Sequence, residues 1–133
     1  MDHYEIILIS ESRSPESATV RVHDDTDDCR IDLTFGTNVF DATAEDFFDC
    51  FCRIREQLEP LGLVPKCYAA HLRAYPSGMS RSMGGGLELY RLTPGSSART
   101  TDLVHMFDSD EGVVPATVAE QRQFFEAWLV SLG

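Results

Sequence analysis

At 133 residues, with 43% apolar residues including eight Phe, four Tyr and one Trp, the chain has the size and the apolar content of one compact domain. Its 22 acids against 11 bases give a net charge of −11, and Lys66 is the only lysine. A surface of that sign repels phosphate backbones and anionic lipid, so direct nucleic-acid or membrane binding is excluded as an expectation. Faster encounter with a basic partner is favoured, beside the plainer reading that the acids serve solubility alone. No apolar run approaches the ~20 residues of a membrane span. The opening Met1-Asp2-His3-Tyr4-Glu5 has no basic leader, so a cytoplasmic protein is expected.

Residues 4–9 (Tyr-Glu-Ile-Ile-Leu-Ile) are a β-branched run without breakers, expected as a strand buried on both faces. After a polar turn, Ala18, Val20 and Val22 alternate with Thr19, Arg21 and His23, the period of a half-exposed strand. Ile31, Leu33 and Phe35 alternate with Arg30, Asp32 and Thr34 in a third. Between these two strands lies an acidic turn, so they are expected as a hairpin with a negative tip. A helix follows, capped by Asp41 or Thr43, with Glu45 and Asp46 suited to its positive end. Phe47, Phe51, Ile54 and Leu58, with Phe48 and Cys52, share one face of it, and Pro60 and Gly62 stop it.

Residues 67–75 resume strand character, and Pro76 ends the ladder because it lacks an N–H. Residues 75–86, Tyr-Pro-Ser-Gly-Met-Ser-Arg-Ser-Met-Gly-Gly-Gly, are expected as a connector without an acid, leading into strands at 87–92 and 101–107. Thr117-Val-Ala-Glu120 is a capping box that opens a last helix, whose Val118, Gln121, Phe125 and Trp128 share a face. The expectation is a single α+β domain of order βββα-βββα, its sheet mostly antiparallel, with both helices packed on one face.

Four features bear on possible chemistry. The glycines of 75–86 could let backbone N–H groups converge on an anion, with Ser77, Ser80, Arg81 and Ser82 adding donors. The segment lacks the Lys-Ser/Thr ending of a P-loop and precedes no dinucleotide-type helix. It is therefore read first as a connection, with Met79, Arg81 and Met83 as possible contacts, and second as a small-ligand or phosphate site. The acidic turn at Asp24, Asp25, Asp27 and Asp28 lacks the Gly and the bidentate Glu of an EF-hand, and Asp108, Asp110 and Glu111 supply a second acidic patch. Solvated tips, or negative prongs for a basic cleft, are the two readings. Cys29, Cys50, Cys52 and Cys67 make no zinc-knuckle spacing and are read as small core residues, so no metal or cofactor is expected. His71 and His105 would serve acid–base work only if a cleft joined one of them to a carboxylate.

Residues 75–92, together with Thr101-Asp-Leu-Val-His-Met-Phe-Asp108 and the final Glu120-Gln-Arg-Gln-Phe-Phe-Glu-Ala-Trp-Leu129, resemble small bacterial immunity proteins of polymorphic and contact-dependent toxin systems. The resemblance runs from His71 onward. It implies a non-enzymatic protein that binds a cognate toxin domain and blocks it. A nuclease toxin would need a basic cleft, and this chain's carboxylates would take the place of the phosphates.

Overall fold

A computed structural model of the chain describes residues 2–24 and 27–133. It is α+β, but with two sheets rather than one. The larger is fully antiparallel, in the order β4-β3-β2-β1-β5, from β1 (Asp2–Ile9), β2 (Glu16–His23), β3 (Cys29–Phe35), β4 (Asn38–Ala44) and β5 (Val64–Pro65). The smaller runs β6-β7-β8, from β6 (Ala74–Tyr75), β7 (Glu88–Arg91) and β8 (Leu103–His105). The helices are α1 (Phe47–Leu58), the short α2 (Gly78–Met83) and α3 (Val118–Ser131).

The alternation in β2 and β3 is as expected: Ala18, Val20, Val22, Ile31, Leu33 and Phe35 are buried on one face. β1 follows the same rule instead of being buried twice, with Ile6 and Leu8 inside while Glu5 and Ile7 are exposed. Only one face of the large sheet is covered. α1 lies across that face with Phe47, Phe48, Phe51, Ile54 and Leu58 buried, and Phe107 meets Phe51 edge-on at 5.1 Å.

β4 corrects the expectation that the chain enters a helix after Gly36. Phe35 pairs with Asn38 across a two-residue turn in which Gly36 takes φ +56°, a conformation that costs glycine little, and the chain pairs back along β3. Asp41 and Thr43 are therefore strand residues, and the cap falls to Asp46, whose carboxylate accepts from the Asp49 N–H at 2.8 Å. β4 is an edge strand, and α1 covers part of it: Arg53 and Gln57 donate to the carbonyls of Thr43 and Asp41 at 2.9 and 3.1 Å.

The segment expected as a strand over 67–75 is mostly a 3₁₀ turn at Tyr68–Ala70, and only Ala74 and Tyr75 enter a ladder. Tyr68 and Ala69 donate to the carbonyls of Asp108 and Met106 at 2.9 and 2.7 Å, so this stretch is bonded to the end of the second sheet as a loop. The Thr117–Glu120 capping box forms as expected, with bonds of 3.1 and 2.8 Å. α3 rests on the second sheet through Phe125, stacked on Tyr75 at 4.1 Å, and through Trp128, whose Nε1–H is shared between the carbonyls of Thr93 and Ser96.

One polar pair fastens these parts together. Arg55, 1% exposed, donates from Nη1 to Gln121 Oε1 (2.6 Å) and the Ala69 carbonyl (2.9 Å), and from Nη2 to the Ala116 carbonyl (3.0 Å). Gln121, also 1% exposed, turns its amide onto the carbonyls of Ala69, His71 and Ala74 at 2.9–3.0 Å. A guanidinium buried among neutral acceptors depends on every one of them, because each loss strands a desolvated group.

Arg55→Ala is expected to cost at least about 3 kcal/mol in urea denaturation, since it opens a cavity and orphans Gln121 Oε1 and the Ala116 carbonyl. Gln121→Leu should also destabilise, by about 2 kcal/mol or more, because it removes an acceptor while the charge stays buried. The double variant Arg55→Ala/Gln121→Leu should be less destabilised than the two single losses added together, because each single variant already strands part of the other's hydrogen bonds. Strict additivity would show that the two side chains are not coupled.

Candidate functional site

The segment 75–86 is not a plain loop. Pro76 breaks the ladder, Ser77 caps a helix by accepting from the Ser80 N–H at 3.0 Å, and α2 runs to Met83. Gly84 and Gly86 then both donate to the Ser80 carbonyl at 2.9 Å, closing the helix end. The sequence carried this signal in the Pro-Ser start, the four-residue spacing of Met79 and Met83, and the glycine stop.

The glycines serve α1. Gly85 accepts from the Phe47 N–H at 2.6 Å, one of the donors that a helix start leaves unpaired. Gly86 has φ +78°, and a Cβ there would lie 3.2 Å from Phe48 Cβ and 3.3 Å from Phe48 N. Arg81 completes the strap. Its Nη1 donates to Asp49 (2.8 Å) and Asp46 (3.0 Å), and its guanidinium lies 5.2 and 5.5 Å from the Phe48 and Tyr75 ring centres. Burial alone would lower the Arg81 pKa, but the two carboxylates outweigh it and raise it. The Gly84 and Gly86 N–H groups that a phosphate would need are spent on the Ser80 carbonyl, and the arginine is spent on α1.

Met79 and Met83, in contrast, are 72% and 82% exposed. They share one side of α2, two positions away from Arg81 and so turned from α1. Beside them the outer face of the small sheet completes a groove of about 760 Å³.

The acidic residues fall in two places. Asp24, Asp27 and Asp28 are exposed at the β2–β3 tip, while Asp25 lies outside the described residues. Asp108, Asp110 and Glu111 are exposed beyond β8. Asp2, not among the binding candidates read from the sequence, pairs with Val22 just before the tip, and its charge and that of Asp108 both act on Tyr4. Burial raises the Tyr4 pKa first and these two carboxylates raise it further. Asp110 also has an internal role. It accepts from the Tyr68 hydroxyl and from the Gly112 N–H, which hold its carboxyl below the usual range.

Part of the positive charge is withdrawn, although Arg53, Arg73, Arg91, Arg99 and Arg122 remain exposed. Arg55 is buried and Arg81 is clasped, while Arg13, Arg21 and Arg30 pair with Glu16, Asp32 and Asp41. Lys66 shares a shallow cavity with Glu5, Asp110 and Glu111.

The histidines do local structural work. His71 is buried and accepts the Val114 N–H on Nδ1 at 2.9 Å, and burial lowers its pKa. His105 accepts the Phe107 N–H on Nδ1 at 3.1 Å and lies against Tyr4. Cys50, Cys52 and Cys67 are core residues, their thiols pushed by burial up to about 12, 11 and 11. Among the described residues no cluster of His, Cys, Asp and Glu is arranged to hold a metal, and no helix is long and apolar enough to cross a membrane. No protein-family model matches the chain, and no curated protein is significantly similar to it.

Two measurements probe this geometry. Gly86→Ala should lower stability by about 1–3 kcal/mol, through its positive φ and the close Phe48 backbone, and an unchanged denaturation midpoint would contradict the strap. On the open sheet face, burial alone would raise the Asp32 pKa, but bonds from His23 (2.7 Å) and Arg21 (3.2 Å) outweigh it and lower it. Stability from Asp32 is therefore complete above the ordinary carboxylate range and lost as pH falls through its lowered value. Asp32→Asn should start less stable at neutral pH yet lose less on going from about pH 5 to about pH 2.5, followed by melting temperature.

Proposed function

We propose that the protein is an immunity-type inhibitor that binds a cognate bacterial toxin domain with a basic substrate cleft, a nuclease being the leading class. It neutralises the toxin in the cytoplasm by occluding the active site. The observation that carries this reading is the division of charge. Arg55 and Arg81 are drawn inward and Arg13, Arg21 and Arg30 pair with carboxylates, while Asp2, Asp24, Asp27, Asp28 and Asp108 are exposed and make up the acidic rim proposed here. A rim of that sign meets a cleft built for phosphates with complementary potential, which speeds encounter and fixes orientation. The resemblance of residues from His71 onward to immunity proteins points the same way. A phosphate-binding regulatory domain is the second reading. It needs Arg81, and Arg81 is held between Asp46 and Asp49, so no observation favours it.

Co-expression with the toxin domain encoded beside the gene should restore growth, and the two should co-purify. Association should slow by about tenfold or more between low and high salt. Asp27→Lys/Asp108→Lys should lower the association rate several-fold with little change in melting temperature, both residues being exposed. Failure to rescue growth against any adjacent toxin would remove the proposal.

A further inference from the structure

We propose that the groove between α2 and the outer face of the small sheet is the docking site for an amphipathic basic helix of the partner protein. This rests on the reading of a basic toxin partner and names the element by which that partner is gripped.

The groove is walled by Met79 and Met83 on one side and by Leu87, Tyr90, Leu103 and His105 on the other. Register puts Tyr90 opposite Leu103 and Glu88 opposite His105, so these four share the face turned away from buried Leu89. Two methionines held mostly in solvent contribute little to this fold. Unbranched, polarizable side chains of that kind adapt to the apolar stripe of an incoming helix.

Charge selects the sign of the occupant. Glu88 stands in the groove wall and makes no ion pair among the described residues. On the far side, His105 packs at 5.0 Å against Tyr4, which lies next to Asp2 and Asp108 of the acidic rim. The one cation of α2, Arg81, is fastened to α1 on the opposite side. An apolar trough with carboxylates on its edge and its arginine removed fits a helix whose apolar stripe is flanked by Lys and Arg. It repels the acidic equivalent.

The test titrates a fluorescein-labelled Leu/Lys amphipathic peptide of about five helical turns into the full chain. A Leu/Glu peptide with the same apolar stripe and a Lys/Ser peptide with the same charge serve as controls. The Leu/Lys peptide should bind best. Met79→Ser/Met83→Ser should weaken it by about tenfold or more and Glu88→Lys by about fivefold, while Val39→Ser, exposed on the other sheet, leaves it unchanged. Melting temperature should not move in the methionine variant, because both side chains are already in solvent. Binding untouched by the methionine pair, or equal binding of either control peptide, would overturn the groove. With the toxin domain, undiminished neutralisation by both groove variants overturns the groove and leaves the inhibitor reading intact. Groove-dependent peptide binding with no toxin bound or neutralised does the reverse.

Discussion

The buried pair Arg55 and Gln121 is the constraint on which the rest of the structure depends. A guanidinium taken out of water without a carboxylate partner is stable only where neutral acceptors surround it in fixed positions. Here those acceptors come from the Gln121 side chain and from the backbone at Ala69 and Ala116. Gln121 extends the demand to His71 and Ala74, so α1, α3, the turn before β6 and the segment before α3 must meet at one point. Packing alone would let α3 slide, since only Gln121 and Trp128 of its length are buried. The polar pair removes that freedom.

A second arginine solves the opposite problem. Arg81 lies nearer the surface, where two carboxylates and two aromatic rings hold it against the start of α1. The glycines allow the backbone the close approach this needs, because any side chain at Gly86 would meet Phe48. Both arginines thus draw positive charge away from the surface while fixing elements in place. The acidity of the exterior comes first from the 22 acids against 11 bases, and the burial of Arg55 adds to it.

The strap also explains how a small helix comes to present two bare methionines. Arg81 and Ser80 tie α2 down, Ser80 by donating to the Glu88 carbonyl at 2.6 Å. The opposite side of a six-residue helix has nowhere to go but solvent. The groove follows from how α2 is anchored, and its sign follows from which residues the anchoring consumed.

Read alone, the residues settle what periodicity and capping chemistry can settle. The inward faces of β2, β3 and α1, the capping box of α3, the α+β class and the negative exterior are local or compositional properties. They survive folding because each needs only its own neighbours in the chain. The two sheets, the strand at 38–44, the 3₁₀ turn at 68–70 and the partnership of Arg55 with Gln121 are different. Asp41 and Thr43 look like helix caps until pairing with β3 claims them, and Arg55 looks like any surface arginine on a helix until α3 closes over it. Long-range hydrogen bonds decided those cases. A buried polar group takes the partners the whole fold can bring to it, and sequence spacing does not encode which carbonyls those are.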